Sequence, residues 1–142
     1  MSLWILDTDH TTLFLAGNSA VVNKVNQHSD RIAITIITVQ ELFNGWNGKL
    51  NDPRSANKLS YLYTKLWQTT EFLKVVTILN FDRDAENCYN KLRKNSKALA
   101  KKRLEKDLRI ASIALIQNAT LVTRNYKDFS LVPNLKIENW VD

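Results

Sequence analysis

The sequence predicts an α/β fold built on a mostly parallel sheet with helices on both faces. Short apolar segments, several rich in β-branched residues, alternate along the chain with longer segments of helical periodicity. No two strand-like segments are joined by a two-residue hairpin turn, so the strands are expected to run parallel with helices crossing between them.

The N-terminal part of the chain begins with a predicted strand at residues 3–6. A helix to about Ala16 is expected next, with Gly17 as its C-terminal stop, followed by a second helix. Residues 32–37 predict the second strand, because β-branched side chains favour extended backbone.

Capping signals predict where the middle helices begin. Thr38 and Glu41 have the spacing of a capping box, which places the start of a helix at Thr38. Asp52 and Pro53 combine an N-cap with a first-turn proline and predict a long helix whose leucines share one face. Those leucines are Leu59, Leu62, Leu66 and Leu73. A third strand is predicted at residues 75–79.

The C-terminal part predicts two helices and two strands. One helix begins after Asp82, and the segment that begins at Asp107 is apolar on nearly every side, which indicates a deeply buried helix. Strands are predicted at residues 120–123 and 135–137.

Length and composition favour one domain over residues 1–142. The single cysteine excludes an internal disulfide, and neither of the two histidines pairs with it at zinc-ligand spacing. No apolar run approaches the roughly 20 residues of a membrane span, and no secretory signal is recognisable. We therefore expect a cytoplasmic protein without a structural zinc ion.

The net charge of +6 is concentrated between residues 91 and 109, here called the basic segment. Its cationic members are Lys91, Arg93, Lys94, Lys97, Lys101, Lys102, Arg103, Lys106 and Arg109. Such a run is the usual basis of sequence-independent nucleic-acid binding, and the same pattern also occurs on solvated helix faces.

Acidic and amide side chains fall where the predicted strands end. They are Asp7, Glu41, Asp107, Asn125 and Asp128. Since the carboxyl ends of parallel strands meet at one edge of a sheet, we expect these side chains to converge. Clustered carboxylates repel one another unless a cation joins them, and oxygen ligands without cysteine favour Mg²⁺ or Mn²⁺.

A carboxylate cluster beside a basic surface suggests metal-assisted attack of water on a phosphodiester. Each residue alone has a simpler explanation. Glu41 could close the capping box, Asp107 could be an N-cap, and Asn125 could be a turn residue. His10 fits a helix start or a partly buried position better than a metal ligand.

Four segments in this order resemble the PIN-domain ribonucleases, in particular the VapC-type toxins of bacterial toxin–antitoxin pairs. They are WILDTDH, ITVQELFNG, KDLRIASIAL and ATLVTRNYKDFSLVPNLKIENW. The resemblance implies a three-layer α/β/α sandwich with a parallel sheet of about five strands. It also implies an Mg²⁺- or Mn²⁺-dependent endoribonuclease that acts on RNA, is inhibited by a small cognate antitoxin protein, and usually forms a homodimer.

The resemblance also implies a site. Asp7, Glu41 and Asp107 match the family's metal-binding acids, and Asn125 or Asp128 completes the shell directly or through water. Thr8 is expected to support Asp7 by hydrogen bonding. The expected substrate-binding residues are Thr8, Arg109, Arg124 and Lys127. A possible dimer surface is the face with Leu59, Leu62 and Leu66, although packing on the protein's own sheet is favoured for this face.

Two alternatives remain open from the sequence. The stretch from Asp7 to Thr11 also fits Asp-x-Asp-x-Thr, the signature of haloacid-dehalogenase-like phosphatases, with Asp7 as nucleophile and Asp9 as general acid. The other alternative is a basic RNA-binding module without catalysis.

Overall fold

Five short parallel strands form the single sheet in the computed structural model, which describes residues 2–142. The strands are β1 (Trp4–Leu6), β2 (Ile32–Thr35), β3 (Thr77–Leu79), β4 (Thr120–Val122) and β5 (Lys136–Glu138). Their order across the sheet is β3-β2-β1-β4-β5, and every neighbouring pair is parallel. The predicted fold class is confirmed.

Seven α-helices connect and cover the strands. They are α1 (Thr8–Leu15), α2 (Ser19–Gln27), α3 (Ile36–Leu50), α4 (Leu59–Leu73), α5 (Arg83–Asn95), α6 (Glu105–Ile116) and α7 (Tyr126–Phe129). Short 3-10 helices lie at Ser29–Arg31, Pro53–Lys58 and Lys102–Leu104. Within residues 2–142, no helix has both the length and the apolar character needed to cross a bilayer.

Successive residues of the strands contribute side chains to two hydrophobic cores on opposite faces of the sheet. Ile5 belongs to one core and the adjacent Leu6 to the other, as the two-residue period of a strand requires. The first core contains five residues of α6, a helix in which six residues from Leu108 to Ala114 are buried. The prediction of a deeply buried helix there is confirmed.

The strand order reverses at β1, whose two neighbours are β2 and β4. The chain leaves β1 toward β2 on one side and returns to β4 on the other. In sheets of this kind, loops diverge at such a point and leave a crevice outside the carboxyl ends of the strands. The ends of β1, β2 and β4 therefore define where a site can form.

The predicted capping box at Thr38 and Glu41 is wrong. The second strand stops at Thr35, and the Thr35 hydroxyl accepts a hydrogen bond from the Thr38 amide at 3.2 Å, so Thr35 is the N-cap of α3. Two β-branched isoleucines follow Thr35, and they made the strand seem two residues longer. Glu41 lies in the second turn of α3, and its carboxylate is not used in capping.

Two other helix starts also differ from prediction. Asp52 caps the 3-10 helix Pro53–Lys58, and the long helix begins only at Leu59. Asp107 is the third residue of α6, whose N-cap is Leu104, so the N-cap explanation for Asp107 is wrong. Neither Glu41 nor Asp107 is therefore occupied by helix capping.

Candidate active site

Asp7 stands at the carboxyl end of β1 and caps α1. Its Oδ1 accepts a hydrogen bond from the His10 amide at 2.8 Å, and its backbone oxygen accepts one from the Thr11 hydroxyl at 2.8 Å. The residue is only 7% exposed. The cap fixes one carboxylate oxygen, and Oδ2 is the oxygen that remains for a ligand at the sheet edge.

Glu41 reaches the same edge from α3 and is oriented by two threonines. The Thr8 hydroxyl donates to Glu41 Oε1 at 2.6 Å and lies 3.0 Å from the Thr38 hydroxyl. Since the Thr8 proton is directed at Glu41, the Thr38 hydroxyl is the donor in the second contact. The expectation that Thr8 supports Asp7 is wrong, because Thr8 supports Glu41.

Asp107 completes the group of three carboxylates from the first turn of α6. The pKa of Asp107 is raised to about 6, first by burial and then by the charges of Glu41 and Asp7. Asp128 adds to this effect. Two segments remote in sequence from α6 therefore place negative charges close enough to Asp107 to disfavour its ionisation. We call Asp7, Glu41 and Asp107 the acid cluster.

Asn125 and Asp128 form a second layer beside the acid cluster. The Asn125 amide nitrogen donates to Asp128 Oδ2 at 3.1 Å and to Asp107 Oδ2 at 3.5 Å. Its carbonyl oxygen accepts from the Asp128 amide and caps the short helix α7. Asn125 thus directs a hydrogen-bond donor at Asp107, and its side-chain carbonyl oxygen is already used to cap α7.

Asp128 is balanced by a member of the basic segment. Arg103 Nη1 lies 3.1 Å from Asp128 Oδ2, and hydrogen bonds from Arg103 and Asn125 lower the pKa of Asp128. Asp107 and Asp128 therefore differ in electrostatic environment, although they are neighbours. The sequence pointed to the basic segment as a whole but gave no sign that Arg103 in particular reaches the acids.

A second group of possible ligands is formed by Asp7, Asp9 and His10, whose ligand atoms all lie within 4.8 Å of one another. Arg124 binds both carboxylate oxygens of Asp9 at 2.7 and 2.8 Å. His10 is completely buried, and its Nε2 accepts from the Trp140 amide at 3.3 Å. Asp9 and His10 are thus already engaged in other contacts.

The expected substrate-binding residues occupy different environments. Arg124 forms the ion pair with Asp9, and Arg109 lies 3.7 Å from Glu105 and over the Tyr89 ring. Lys127 is exposed on α7, next to Asp128. Thr8 lies beside the acid cluster as a hydrogen-bond donor to Glu41. Of the four, Arg124 and Lys127 are exposed, whereas Thr8 and Arg109 are partly buried.

Known proteins with similar sequences and structures agree on one family. A Ribonuclease VapC2 from Rickettsia felis is 31% identical over 144 residues, a match that covers 90% of this chain and 98% of that protein. A Ribonuclease VapC2 from Haemophilus influenzae is 26% identical and covers 85% of this chain and 84% of its own. No protein-family model matches the sequence.

Solved structures resemble the whole fold. The crystal structure of VapBC2 from Rickettsia felis bound to a DNA fragment from their promoter includes a chain with a TM-score of 0.77 and 27% identity, covering 97% of this chain and 98% of its own. DNA-bound VapBC from Salmonella typhimurium gives a TM-score of 0.78 with 99% coverage of both chains. At 23% identity, the second comparison supports the fold alone.

Proposed function

The chain belongs to the VapC ribonuclease family, and from this we propose that it is a metal-dependent endoribonuclease, the toxin of a toxin–antitoxin pair. One observation carries the proposal. Asp7, Glu41 and Asp107 converge from β1, α3 and α6 at the carboxyl edge of the sheet, and their charges oppose one another. We propose that residues 1–142 form one nuclease domain, of which Met1 lies outside the described residues.

We propose Mg²⁺ or Mn²⁺ as the cofactor, bound by the acid cluster. The donor set is all oxygen, and the charges of Glu41 and Asp7 act together with burial to raise the pKa of Asp107, a repulsion that a divalent cation would relieve. When bound, such a cation activates water and stabilises the charge that grows on phosphate oxygens. The residues present therefore fit the group.

The protein's own side chains orient these ligands. The Thr8 hydroxyl fixes one oxygen of Glu41, and the Asn125 amide donates to Asp107. Hydrogen bonds of this kind hold a carboxylate in a fixed orientation and limit its reorganisation. We assign Asn125 and Asp128 to this supporting layer, where water between Asp128 and the cation would complete the shell.

We propose that the basic segment and Lys127 bind the RNA backbone. Arg103 connects the two regions, because it belongs to the basic segment and contacts Asp128. Arg109 and Arg124 are assigned weaker roles in phosphate binding, since Glu105 and Asp9 already share their charges. RNA held on this side has its phosphates directed at the acid cluster.

We further propose a small antitoxin protein as partner, because a solved relative with 27% identity is part of a VapBC complex. For a homodimer, the relevant face of α4 differs from the one expected. Leu62 is 4% exposed and packs within the chain, whereas Leu59, Tyr63 and Trp67 are 44, 58 and 61% exposed. These three residues recur every four positions and share one helix face. A cytoplasmic location agrees with an RNA substrate.

The contacts of Asp9 argue against the phosphatase alternative, in which Asp9 is the general acid. It requires Asp9 to deliver a proton beside Asp7, yet both Asp9 oxygens are bound by Arg124. The non-catalytic alternative remains an outcome of the test below.

The test is cleavage of a panel of single-stranded and structured RNAs by purified, antitoxin-free protein. We expect cutting with Mg²⁺ or Mn²⁺, none with excess EDTA, and none by Asp107→Asn. Asp9→Asn is the matched control, because it removes a neighbouring carboxylate outside the acid cluster and should still cut. RNA binding without cutting under every metal condition would instead assign the protein as a binding module.

A further inference from the structure

A cavity of about 260 Å³ opens beside the acid cluster, between α1, α3 and α4. Thr8 and Glu41 line its inner end, so the cavity is continuous with the candidate active site. From Glu41 it follows α3 past Gly45 and Trp46 to Lys49, two helical turns or about 12 Å away. A ligand bound at the acid cluster can therefore place an adjacent group in this cavity, which we call the aromatic pocket.

Two aromatic rings from different helices line the aromatic pocket. Trp46 comes from α3, and its indole nitrogen donates to the Thr69 hydroxyl at 3.0 Å. Thr69 is only 1% exposed, so this bond fixes the indole ring before any ligand arrives. Tyr61 comes from α4 and is 59% exposed. The pocket thus offers one preorganised ring, Trp46, and one exposed ring, Tyr61, and both are flat surfaces of the kind on which bases stack.

Cations accompany both rings. Lys49 Nζ lies 4.9 Å from the Trp46 ring centroid, and Lys65 Nζ lies 5.6 Å from that of Tyr61. Glu41 is the only carboxylate among the described residues that line the pocket, and it lies at the end where the cation is proposed. Flat apolar faces next to two positive charges match a nucleotide, which combines a flat base with anionic phosphates.

We propose that the aromatic pocket binds a base of the RNA next to the scissile phosphate. The base stacks on Trp46 or Tyr61, and the flanking phosphates bind Lys49 and Lys65. The inference rests on the proposed nuclease function and narrows its substrate class. A base stacked inside a duplex cannot enter such a pocket, so the substrate is single-stranded or looped RNA.

Two glycines of α3 allow a matched test. A Cβ added at Gly45 or at Gly48 meets no atom within 4 Å, so both positions accept a larger side chain. Only Gly45 lines the aromatic pocket. Gly45→Leu therefore fills the pocket without altering its rings or lysines, and Gly48→Leu makes the same change on the same helix outside it.

The measurement is fluorescence anisotropy of a labelled, short, single-stranded RNA of mixed sequence. All variants carry Asp107→Asn, so that the RNA stays intact during titration. We expect Gly45→Leu to bind RNA about tenfold more weakly than Gly48→Leu, in keeping with the loss of stacking of one base. Inorganic polyphosphate, a polyanion without bases, should bind both variants equally.

Three results would overturn the inference. The first is equal RNA affinity of folded Gly45→Leu and Gly48→Leu. The second is an equal loss of RNA and polyphosphate binding in Gly45→Leu, which would show that no base is recognised. The third is unchanged RNA binding together with loss of binding to the antitoxin protein, which would assign the pocket to a protein ligand.

A second variant keeps the inference testable if Gly45→Leu does not fold. If circular dichroism shows Gly45→Leu to be unfolded, Tyr61→Ala replaces it, because that exposed ring can be removed without opening the core. The same loss of RNA binding is then expected. If the parent protein cuts RNA but the pocket variants bind like the control, only the pocket assignment fails. If the parent neither cuts nor binds RNA, the proposed function fails as well.

Discussion

The two flanks of the acid cluster are built in opposite ways. The basic segment on one flank consists of residues close together in sequence, most of them exposed, and its Arg103 contacts Asp128 beside the acid cluster. The aromatic pocket on the other flank needs three helices to form and is largely apolar, with Trp46 fixed by Thr69. The first can attract any polyanion, whereas the second can distinguish a base from a bare phosphate chain.

This comparison shows how separate regions around one small sheet can provide RNA affinity, base selectivity and catalysis. Flexible, exposed cations provide long-range attraction that salt screens. A rigid pocket provides contacts that depend on shape. The acid cluster lies between them, where β1, α3 and α6 bring Asp7, Glu41 and Asp107 together.

The largest effect is expected from removing an acid of the cluster. Asp107→Asn should lower the rate of RNA cleavage by at least about a hundredfold, because the cation it helps to hold supplies several kcal/mol of transition-state stabilisation. RNA affinity should not fall, since both flanks remain and one negative charge is lost. Cleavage rates and anisotropy titrations check this. Full activity of Asp107→Asn would show that RNA cleavage does not take place at the acid cluster.

The salt dependence of RNA affinity should distinguish the basic segment from the aromatic pocket. Lys101→Gln combined with Lys102→Gln should flatten the dependence of log affinity on log salt by about 0.7 for each lysine that contacts a phosphate. Gly45→Leu should weaken binding without changing this slope. Lys24→Gln on α2, another exposed lysine, is the control. Equal slopes in all variants would remove the basic segment from the RNA-binding surface.

The stability of the metal-free protein should depend on pH through Asp107. Its pKa is raised to about 6 in the folded protein, above the ordinary carboxyl value of 3.8. Between these values the folded state holds a proton that the unfolded state has lost, so stability decreases as pH rises and changes no further above about 6. Wild type should therefore lose more thermal stability between about pH 4 and pH 6 than Asp107→Asn.

Adding Mg²⁺ to the same measurement of thermal stability tests cation binding by the acid cluster. A cation bound by the ionised cluster stabilises the folded state by mass action, so added Mg²⁺ should raise the melting temperature at neutral pH. It should do so much less in Asp107→Asn. An identical pH profile for the two proteins would contradict the raised pKa of Asp107.

The smallest effect concerns the backbone beneath the aromatic pocket. Glycine inside a helix costs up to about 1 kcal/mol relative to alanine. Gly45→Ala should therefore raise the free energy of unfolding by no more than that amount, since the added methyl meets open space. Denaturant melts check it, with Gly48→Ala as the companion. A loss of stability in Gly45→Ala alone would show that the pocket is closed in solution.

The same contrast explains what could be predicted from the sequence. The parallel sheet follows from hydrophobic segments and connection lengths, which are local signals. The acids Asp7 and Asp107 were found because each adjoins a buried element. Helix starts were less certain, because Thr35 and Thr38 both have capping side chains, and the choice between them is made by backbone conformation.

The rest of the site depends on side-chain directions that no local pattern records. The Thr8 hydroxyl could reach Asp7 or Glu41, and only the packing of α1 against α3 selects Glu41. Arg103 is one of many cations in the basic segment, and its contact with Asp128 depends on the turn before α6. Trp46 and Tyr61 come from separate helices, so their shared pocket was missed.

Binding of Mn²⁺ by titration calorimetry tests the central claim most directly, because it needs no RNA. The acid cluster predicts that Asp107→Asn and Glu41→Gln each weaken Mn²⁺ binding by at least about tenfold, while Asp9→Asn binds like wild type. All variants should retain their circular dichroism spectra. Normal binding by Asp107→Asn and Glu41→Gln together with a loss in Asp9→Asn would contradict the account, since the cation would then belong to Asp7, Asp9 and His10.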